Sequence, residues 1–314
     1  MLKKASTDIL SLTQLIVATA KTAHPNCKPQ HYHRVLRFIY RVFCKKNLLT
    51  TLINRVNNIA APHAIPVDTD HVGAMVWPYV CNEWNEKKRC DVIASHYEYL
   101  ADNHYYVLMQ AKQQPITLID LSDHSANTRI VIDKPIWFRR EGELVINLFQ
   151  GELRVVSIAV VINKEDMIIG AVQGIHGGVS TDESLAIFKN LTKDFNGLRP
   201  RSLVLEVLRN LATHMSMHNI LAVADKNRHH RHTYFGKSST SELSGNYDTV
   251  WEENGGWQEK DGDDYFYQLP IRSPRKPIEE IASKKRSLYR RRYAMLDTIA
   301  NDVNLSMDKL KKNT

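Results

Sequence analysis

The sequence contains no apolar stretch close to the ~18 residues needed to span a bilayer, so no transmembrane anchor is expected. Its four cysteines show no C-x-x-C spacing, which argues against both a zinc site and a thioredoxin-like redox motif. Helix-turn-helix, zinc-finger and RNP-type aromatic patterns are also missing. These absences remove the common metal-dependent, redox and nucleic-acid-binding classes from first consideration.

The composition is otherwise that of an ordinary folded protein. The chain has 314 residues, of which 43% are hydrophobic and 24% charged. These values are close to the average for globular domains, and the length suffices for one large domain or two smaller ones. We therefore expect a sizeable core and no extensive disorder.

The N-terminal segment has two interpretations. Two lysines precede an apolar stretch at residues 9–18, which is the outline of a secretory signal. Polar residues interrupt that stretch, however, and its apolar side chains recur on one helical face at Ile9, Leu12, Ile16 and Ala20. The pattern favours an ordinary amphipathic helix.

Charge is distributed unevenly along the chain. The formal net charge is +8 overall, with +9 in residues 1–67, −7 in residues 68–274 and +6 in residues 275–314. Two basic ends thus flank an acidic centre.

Basic residues recur at helical spacing near both ends. A basic amphipathic helix is predicted from about Tyr32 to Asn57, with its cations at Arg34, Arg37, Arg41 and Lys45. The C-terminal helix carries a second group at Lys284, Lys285, Arg286, Arg290, Arg291 and Arg292. Three interpretations are open for these cations. They pack against the acidic centre within the fold, they bind an anionic membrane surface, or they bind nucleic acid, in which case the binding would be strongly salt-dependent. The missing nucleic-acid motifs make the third interpretation the weakest.

Hydrophobic periodicity predicts an α+β fold in three regions. Residues 1–104 form a helical basic region with a proline-bearing break at 61–66, residues 105–274 an α+β core domain, and residues 275–314 a basic C-terminal helix. The predicted strands are 105–109, 116–119, 130–132, 144–149, 155–162, 167–173, 220–224 and 265–269. They are expected to form a mixed, mainly antiparallel sheet, with 155–162 and 167–173 as a hairpin.

Two helices are predicted between that hairpin and the strand at 220–224. Ser180 and Glu183 have the spacing of a capping box at the start of the first. Pro200 occupies the first position of the second, where its missing N–H costs nothing.

Five segments occur in an ordered set that covers roughly residues 100–297. They are Gly197–Arg201, the His/Arg-rich stretch after Asp225, residues 247–253, residues 265–270 and residues 284–293. Together they resemble the VirK/YbjX family of Gram-negative bacterial proteins. The resemblance implies a virulence-associated protein linked to antimicrobial-peptide resistance and to surface display or export of virulence proteins. It implies no reaction, cofactor or catalytic residue, and the stretch 229–232 is richer in histidine than the family pattern.

The order of hairpin, glycine-containing loop, long helix and strand is similar to the core of GNAT-type acyltransferases, although a helix at 181–195 interrupts it. Such enzymes hold the pyrophosphate of acyl-CoA at a helix N-terminus, where free amides and the helix dipole favour an anion. Gly197, Arg199 and Arg201 surround such a terminus and are the candidate acyl-CoA-binding residues. A plain helix start with exposed arginines is the competing interpretation.

Histidines offer further candidate chemistry. His229, His230 and His232 are candidates for a general base, with Asp225 or Glu252 as the orienting carboxylate, and a solvated polar loop is the competing interpretation. His214 and His218 are four residues apart on a helix, as in a zinc pair, but the glutamate of a zinc-protease motif does not follow His214. No metal site is predicted.

Two functions therefore remain. The favoured one is a virulence-associated accessory factor at the cell envelope, whose basic helices contact anionic lipid or a client protein. The alternative is a GNAT-like acyltransferase that transfers an acyl group from acyl-CoA to an envelope lipid or a protein amine. The expected location is the cytoplasm, peripheral to the inner membrane, or the periplasm if the N-terminus is cleaved.

Overall fold

The structure, a computed structural model, describes residues 9–24, 32–59, 68–236, 245–258 and 264–312. A seven-stranded mixed sheet and ten α-helices in these ranges confirm the predicted α+β class. The predicted break at 61–66 and Cys27 lie outside the described residues. The division into three regions stays a prediction.

The strands are β1 (Ile116–Asp120), β2 (Thr128–Asp133), β3 (Leu144–Gln150), β4 (Leu153–Asn163), β5 (Asp166–Gln173), β6 (Asn219–Val223) and β7 (Phe266–Leu269). They lie side by side in chain order, and every neighbouring pair is antiparallel except β5 and β6. The predicted hairpin is the β4–β5 pair, with Ile158 opposite Val172. Consecutive β4 residues from Val155 to Ile162 are all buried, so the centre of the sheet is covered on both faces.

The helices are α1 (Ile9–Ala23), α2 (Tyr32–Cys44), α3 (Lys46–Asn57), α4 (Thr69–Gly73), α5 (Glu86–Asp102), α6 (Tyr106–Met109), α7 (Thr181–Asp194), α8 (Pro200–His214), α9 (Tyr247–Glu253) and α10 (Ser283–Lys312). Helix α5 packs against β4, α8 packs against β3 and β4, and α10 packs against α8 and β1. The capping box of α7 and the proline at the first position of α8 are both present as predicted. None of the described helices is long and apolar enough to cross a bilayer.

Two details differ from the sequence-based expectations. Residues 105–109 were predicted as a strand, which is wrong, because Tyr106–Met109 form the short helix α6. His104 has a φ of 61° and turns the chain, so that Leu108 and Met109 bury their side chains one helical turn from Tyr105. The basic helix also breaks at Lys45, whose ammonium pairs with Glu86 at 2.8 Å. The break lets α2 pack on α1 while α3 packs on α5.

A buried polar cluster joins the N-terminal helices to the sheet. At its centre lies Glu143, whose carboxylate accepts hydrogen bonds from the Tyr79 hydroxyl at 2.9 Å and the Tyr97 hydroxyl at 2.6 Å, and from the ammonium of Lys134. Lys134 also lies 3.8 Å from the carboxylate of Asp70 on α4. Because Tyr97 belongs to α5 and Lys134 follows β2, these charges hold helix and sheet together.

His96 on α5 makes the fold sensitive to acid. Its ring is fully buried, and its Nδ1 accepts the backbone N–H of Ile162 at 3.1 Å, so a proton at Nδ1 would break that bond. Burial lowers the pKa of His96 from 6.5 to about 4. Between pH 6.5 and pH 4 the unfolded chain therefore binds a proton at His96 that the folded chain does not bind. The contribution of the neutral histidine to the free energy of unfolding is fully present above pH 6.5 and is lost as the pH falls towards 4.

We expect His96 to account for about 3 kcal/mol of the loss in unfolding free energy over this range. Urea unfolding of wild type and His96→Gln at pH 7 and near pH 4 measures the contribution. The pH dependence should be smaller in the variant, since glutamine still accepts the Ile162 N–H but does not titrate. An equal dependence in both proteins would show that the histidine is not responsible.

Candidate functional site

A large cleft opens where β5 and β6 separate. Their parallel pairing ends at Ile169 opposite Ala222, whereas β5 continues to Gln173. On that free edge the backbone N–H of Val172 donates to the hydroxyl of Tyr247 on α9, at 3.1 Å. The cleft has a volume of about 1160 Å³, more than a drug-sized pocket requires. Divergence of two parallel strands at their carboxyl ends is a frequent position for ligand sites.

One wall of the cleft carries a buried carboxylate beside two histidines. Glu141 Oε1 lies 3.4 Å from His230 Nε2 and 3.9 Å from His229 Nε2. The side-chain amide of Gln173 donates to both carboxylate oxygens of Glu141, at 3.2 and 3.3 Å. Glu141 is 3% exposed and His230 is 37% exposed, so a ligand in the cleft can reach the carboxylate through His230. This is a geometry suited to moving a proton.

The neighbouring histidine is held in its neutral form. Burial, together with the charges of His230, Arg140 and Arg228, lowers the pKa of His229 well below its usual value. Its Nδ1 is buried and has no hydrogen-bond partner among the described residues. Glu141, His229 and His230 are close enough to hold a metal ion. The surrounding arginines disfavour a divalent cation there, because their charge has the same sign.

Close backbone packing fixes the loop that carries Glu141. A side chain at Gly170 of β5 would collide with the Glu141 carbonyl, and one at Gly142 would lie 2.5 Å from the Val160 carbonyl oxygen. The histidine loop is fixed in turn by a hydrogen bond of 3.2 Å from the His229 N–H to the Val80 carbonyl. The Glu141 loop is thus held against β4 and β5, and the histidine loop is held by Val80, whose own N–H donates to the Arg140 carbonyl at 2.8 Å.

The N-terminus of α8 also lines the cleft. Arg199 is its N-cap residue and provides no side-chain cap, and Pro200 has no N–H, so the backbone N–H groups of Arg201 and Ser202 receive no cap from the Arg199 side chain. Both Arg199 and Arg201 line the cleft. Arg199 pairs with Glu253 at 2.9 Å, whereas Arg201 has no ion pair or side-chain hydrogen bond within the described ranges. By contrast, Ser180 and Glu183 cap α7 and occupy its terminus.

A third arginine is fixed by a polar group within the sheet. Arg154 of β4 pairs with Asp133 at 2.7 Å and donates to the Asn147 side chain, whose carbonyl also accepts from Ser157 at 2.7 Å. Arg154 lies over the rings of Phe149 and Trp137, at 4.7 and 5.7 Å from their centroids. Arg154 of β4 therefore lines the same cleft as the arginines at the start of α8.

The predicted catalytic residues do not meet in one group. Asp225 accepts hydrogen bonds from the side chains of Arg228 and Arg231 and from the Tyr247 N–H, and has no contact with His229 among these. Burial would raise the pKa of Asp225, but its hydrogen bonds lower it. Glu252 is exposed on α9, where its carboxylate accepts from the Tyr267 hydroxyl at 3.3 Å. The carboxylate beside the histidines is Glu141.

The other predicted residues have diverse surroundings. Gly197 ends α7 with a φ of 76° and faces Arg292 of α10 rather than the cleft. His214 contacts Asn304 of α10 at 3.2 Å, while His218 pairs with Glu165 at 2.7 Å.

The two groups of basic residues also differ from one another. On α10, Arg286 and Arg292 donate to backbone carbonyls, and Arg291 lies 3.4 Å from the Asn196 side chain. Lys284, Lys285 and Arg290 are exposed. On α2, Arg34, Arg37 and Arg41 are all exposed.

Comparison with known proteins gives a family but no activity. The family model described as "Protein of unknown function (DUF535)" matches residues 28–305. The uncharacterized protein YbjX of Escherichia coli K12 is 35% identical over 136 residues, which is 43% of this chain and 39% of that protein.

Two uncharacterized proteins of Haemophilus influenzae Rd give similar matches. One is 33% identical over 44% of this chain and 43% of its own length, and the other 31% identical over 52% and 48%. Each match thus spans less than half of the curated relative, and no solved structure matches the chain significantly. The family match covers most of the chain, and the similarity to YbjX confirms the resemblance seen in the sequence. The chain belongs to the DUF535 family, the family of YbjX.

Proposed function

We propose that the cleft binds a large phosphate-bearing thioester, acyl-CoA, and transfers its acyl group to an amine. One observation carries the proposal. The uncapped N-terminus of α8, with the unpaired Arg201, lines the same cleft as the buried carboxylate Glu141 and its partner His230. Groups suited to binding an anion and groups suited to proton transfer therefore line a single cavity.

The anion would bind at α8. Exposed N–H groups and the helix dipole favour a phosphate at this position, and an arginine adds charge-assisted hydrogen bonds. Arg201 suits this role better than Arg199, because Arg199 already pairs with Glu253. The parallel arrangement of β5 and β6, with α8 between them in sequence, is also the order that suggested an acyltransferase core.

Glu141 and His230 would act on the acceptor amine. When the amine nitrogen attacks the thioester carbonyl, a C–N bond forms and the C–S bond breaks. His230 passes the proton lost by the amine to Glu141, and the same proton then returns through His230 to the leaving thiolate, so that the products are an amide and a free thiol and Glu141 is again a carboxylate. Gln173 keeps the carboxylate directed at His230 throughout.

A second function follows from the family resemblance. In this proposal the protein is a virulence-associated accessory factor that works at the cell envelope, in antimicrobial-peptide resistance or in the surface display or export of virulence proteins. The exposed arginines of α2 support it, since they are available to an anionic lipid or a client protein. We propose that the protein lies in the cytoplasm, peripheral to the inner membrane. If the N-terminus is cleaved, the expected location is the periplasm instead.

Arg201→Ala should weaken coenzyme A binding roughly 10–100-fold, because it removes a charge-assisted interaction in the cleft. Thermal-shift titration with coenzyme A and palmitoyl-CoA measures the affinity, since a ligand that binds only the folded state raises the melting temperature saturably. Arg199→Ala should have a smaller effect, and Arg275→Ala, which removes an exposed arginine paired with Asp297, should have none. Equal binding by wild type and Arg201→Ala would remove the anion site from α8. A wild type that shows no shift would refute the acyl-CoA proposal.

A further inference from the structure

Helix α2 exposes a continuous apolar stripe. Its members are four large side chains spaced four, four and three residues apart, so they lie on one side of the helix. They are Tyr32, Leu36, Tyr40 and Phe43, which are 56, 64, 70 and 58% exposed. Exposed large apolar side chains are common singly, whereas an aligned set of four marks an interaction surface.

The stripe does not serve the core of the fold. A different side of α2 is buried through Phe38 and Val42, and it is this side that contacts the rest of the protein. Phe38 packs against Trp77, with ring centroids 6.1 Å apart. The exposed stripe is therefore additional apolar surface, beyond what the fold needs.

Three arginines occupy the next sector of the helix. Arg34, Arg37 and Arg41 are exposed, and within the described part of the chain none of them makes an ion pair or a side-chain hydrogen bond. The sequence contains no Asp or Glu from residue 9 to residue 67. The cations of α2 thus lack an acidic counterpart on their own and the adjoining helices.

We propose that this face of α2 lies in the headgroup region of an anionic lipid bilayer, with the apolar stripe inserted and the arginines on lipid phosphates. Helices that lie in a membrane interface combine a basic face with an apolar one, and aromatic side chains favour the headgroup level. A second copy of the chain fits less well. A symmetric dimer through the same face would bring two sets of arginines together without acidic partners.

A chain of contacts links α2 to the lining of the cleft. Trp77 touches Phe38 of α2 on one side, and the guanidinium of Arg140 lies 4.8 Å from its ring centroid. Arg140 directly precedes Glu141. Trp137, at the mouth of the cleft, is 63% exposed. The membrane surface is independent of the chemistry in the cleft, and it holds whether or not the cleft binds acyl-CoA.

Co-sedimentation with lipid vesicles tests the proposal. Wild type should bind vesicles of phosphatidylcholine and phosphatidylglycerol more tightly than vesicles of phosphatidylcholine alone, and added salt should weaken the binding. Arg37→Gln with Arg41→Gln should reduce the partition coefficient roughly 30-fold. Leu36→Ser with Phe43→Ser should reduce it at least as much, because it removes the inserted side chains. All four positions are exposed, so far-UV circular dichroism and the melting temperature should stay unchanged.

The matched control is Lys284→Gln with Arg290→Gln, which removes two exposed cations from α10 and should leave vesicle binding intact. Any of three results would overturn the proposal. The first is that wild type fails to bind anionic vesicles, and the second is that the α10 variant loses binding as strongly as the α2 variants. The third is a dimer, seen by analytical ultracentrifugation, that Leu36→Ser with Phe43→Ser converts to monomer. Coenzyme A binding by the α2 variants reports separately on the cleft.

Discussion

Replacing Glu143 by glutamine should lower the free energy of unfolding by about 3–5 kcal/mol, the usual cost of removing one partner from a buried ion pair. Glutamine keeps the shape of the side chain but removes the carboxylate bonded to the buried ammonium of Lys134, whose next carboxylate, that of Asp70, lies 3.8 Å away. Burial would raise the pKa of Glu143, but the charge of Lys134 holds it at about 2. The contribution of this carboxylate to the free energy of unfolding is therefore fully present above its usual pKa of 4.5 and is lost as the pH falls towards 2.

Urea unfolding at neutral pH measures the effect of Glu143→Gln. Glu152→Gln, at a carboxylate that is 95% exposed, should change the unfolding free energy by less than about 0.5 kcal/mol. The double variant Lys134→Met with Glu143→Leu should cost less than Glu143→Gln, because no uncompensated charge remains. A single variant as stable as wild type would show that the cluster does not hold α4 and α5 to the sheet.

Replacing Glu141 by glutamine should slow acyl transfer about 10²–10⁴-fold while leaving coenzyme A binding unchanged. The carboxylate is the proposed proton acceptor, whereas the proposed anion site is a different element, the N-terminus of α8. Release of free thiol from acetyl-CoA or palmitoyl-CoA, with ethanolamine as the acceptor amine, measures the rate. Thermal shift with coenzyme A measures binding in the same preparation.

The control for Glu141→Gln is Glu165→Gln, at an exposed carboxylate in the β4–β5 turn that pairs with His218. Its rate should equal that of wild type. A pH profile separates a chemical role from a structural one, because loss of the base should remove the acidic limb of the wild-type profile as well as lower its plateau. Full activity of Glu141→Gln would refute its role as the base. Loss of coenzyme A binding in that variant would indicate instead that the loop positions the ligand.

Local signals predicted most of the fold. Short runs of β-branched, aromatic and other apolar residues predicted β1 to β7, and the capping box at Ser180 and the proline at position 200 predicted the starts of α7 and α8. The sequence failed at Tyr106–Met109, where residues that favour strands form a helix because packing outweighs their propensity. It also missed the break at Lys45, a residue whose side chain pairs with Glu86, far along the chain.

The candidate site was only partly predictable. Arg199 and Arg201 were found because a helix start is a local pattern, whereas Glu141 was missed because its partners Gln173 and His230 come from distant segments. The available signal was a charged run with a glycine, residues 139–143, directly before a buried strand. The stripe on α2 was hidden for another reason. Periodicity identifies apolar side chains, but only the packing shows which of them remain exposed.

The separation of β5 from β6 implies a compromise between stability and function. Beyond Ile169 the backbone of β5 no longer pairs with β6. On that edge the Tyr247 hydroxyl accepts a hydrogen bond from the Val172 N–H. Continued pairing would bury more backbone hydrogen bonds and would close the cleft. The protein thus keeps its cavity by leaving its sheet incomplete, as expected where a binding site limits stability.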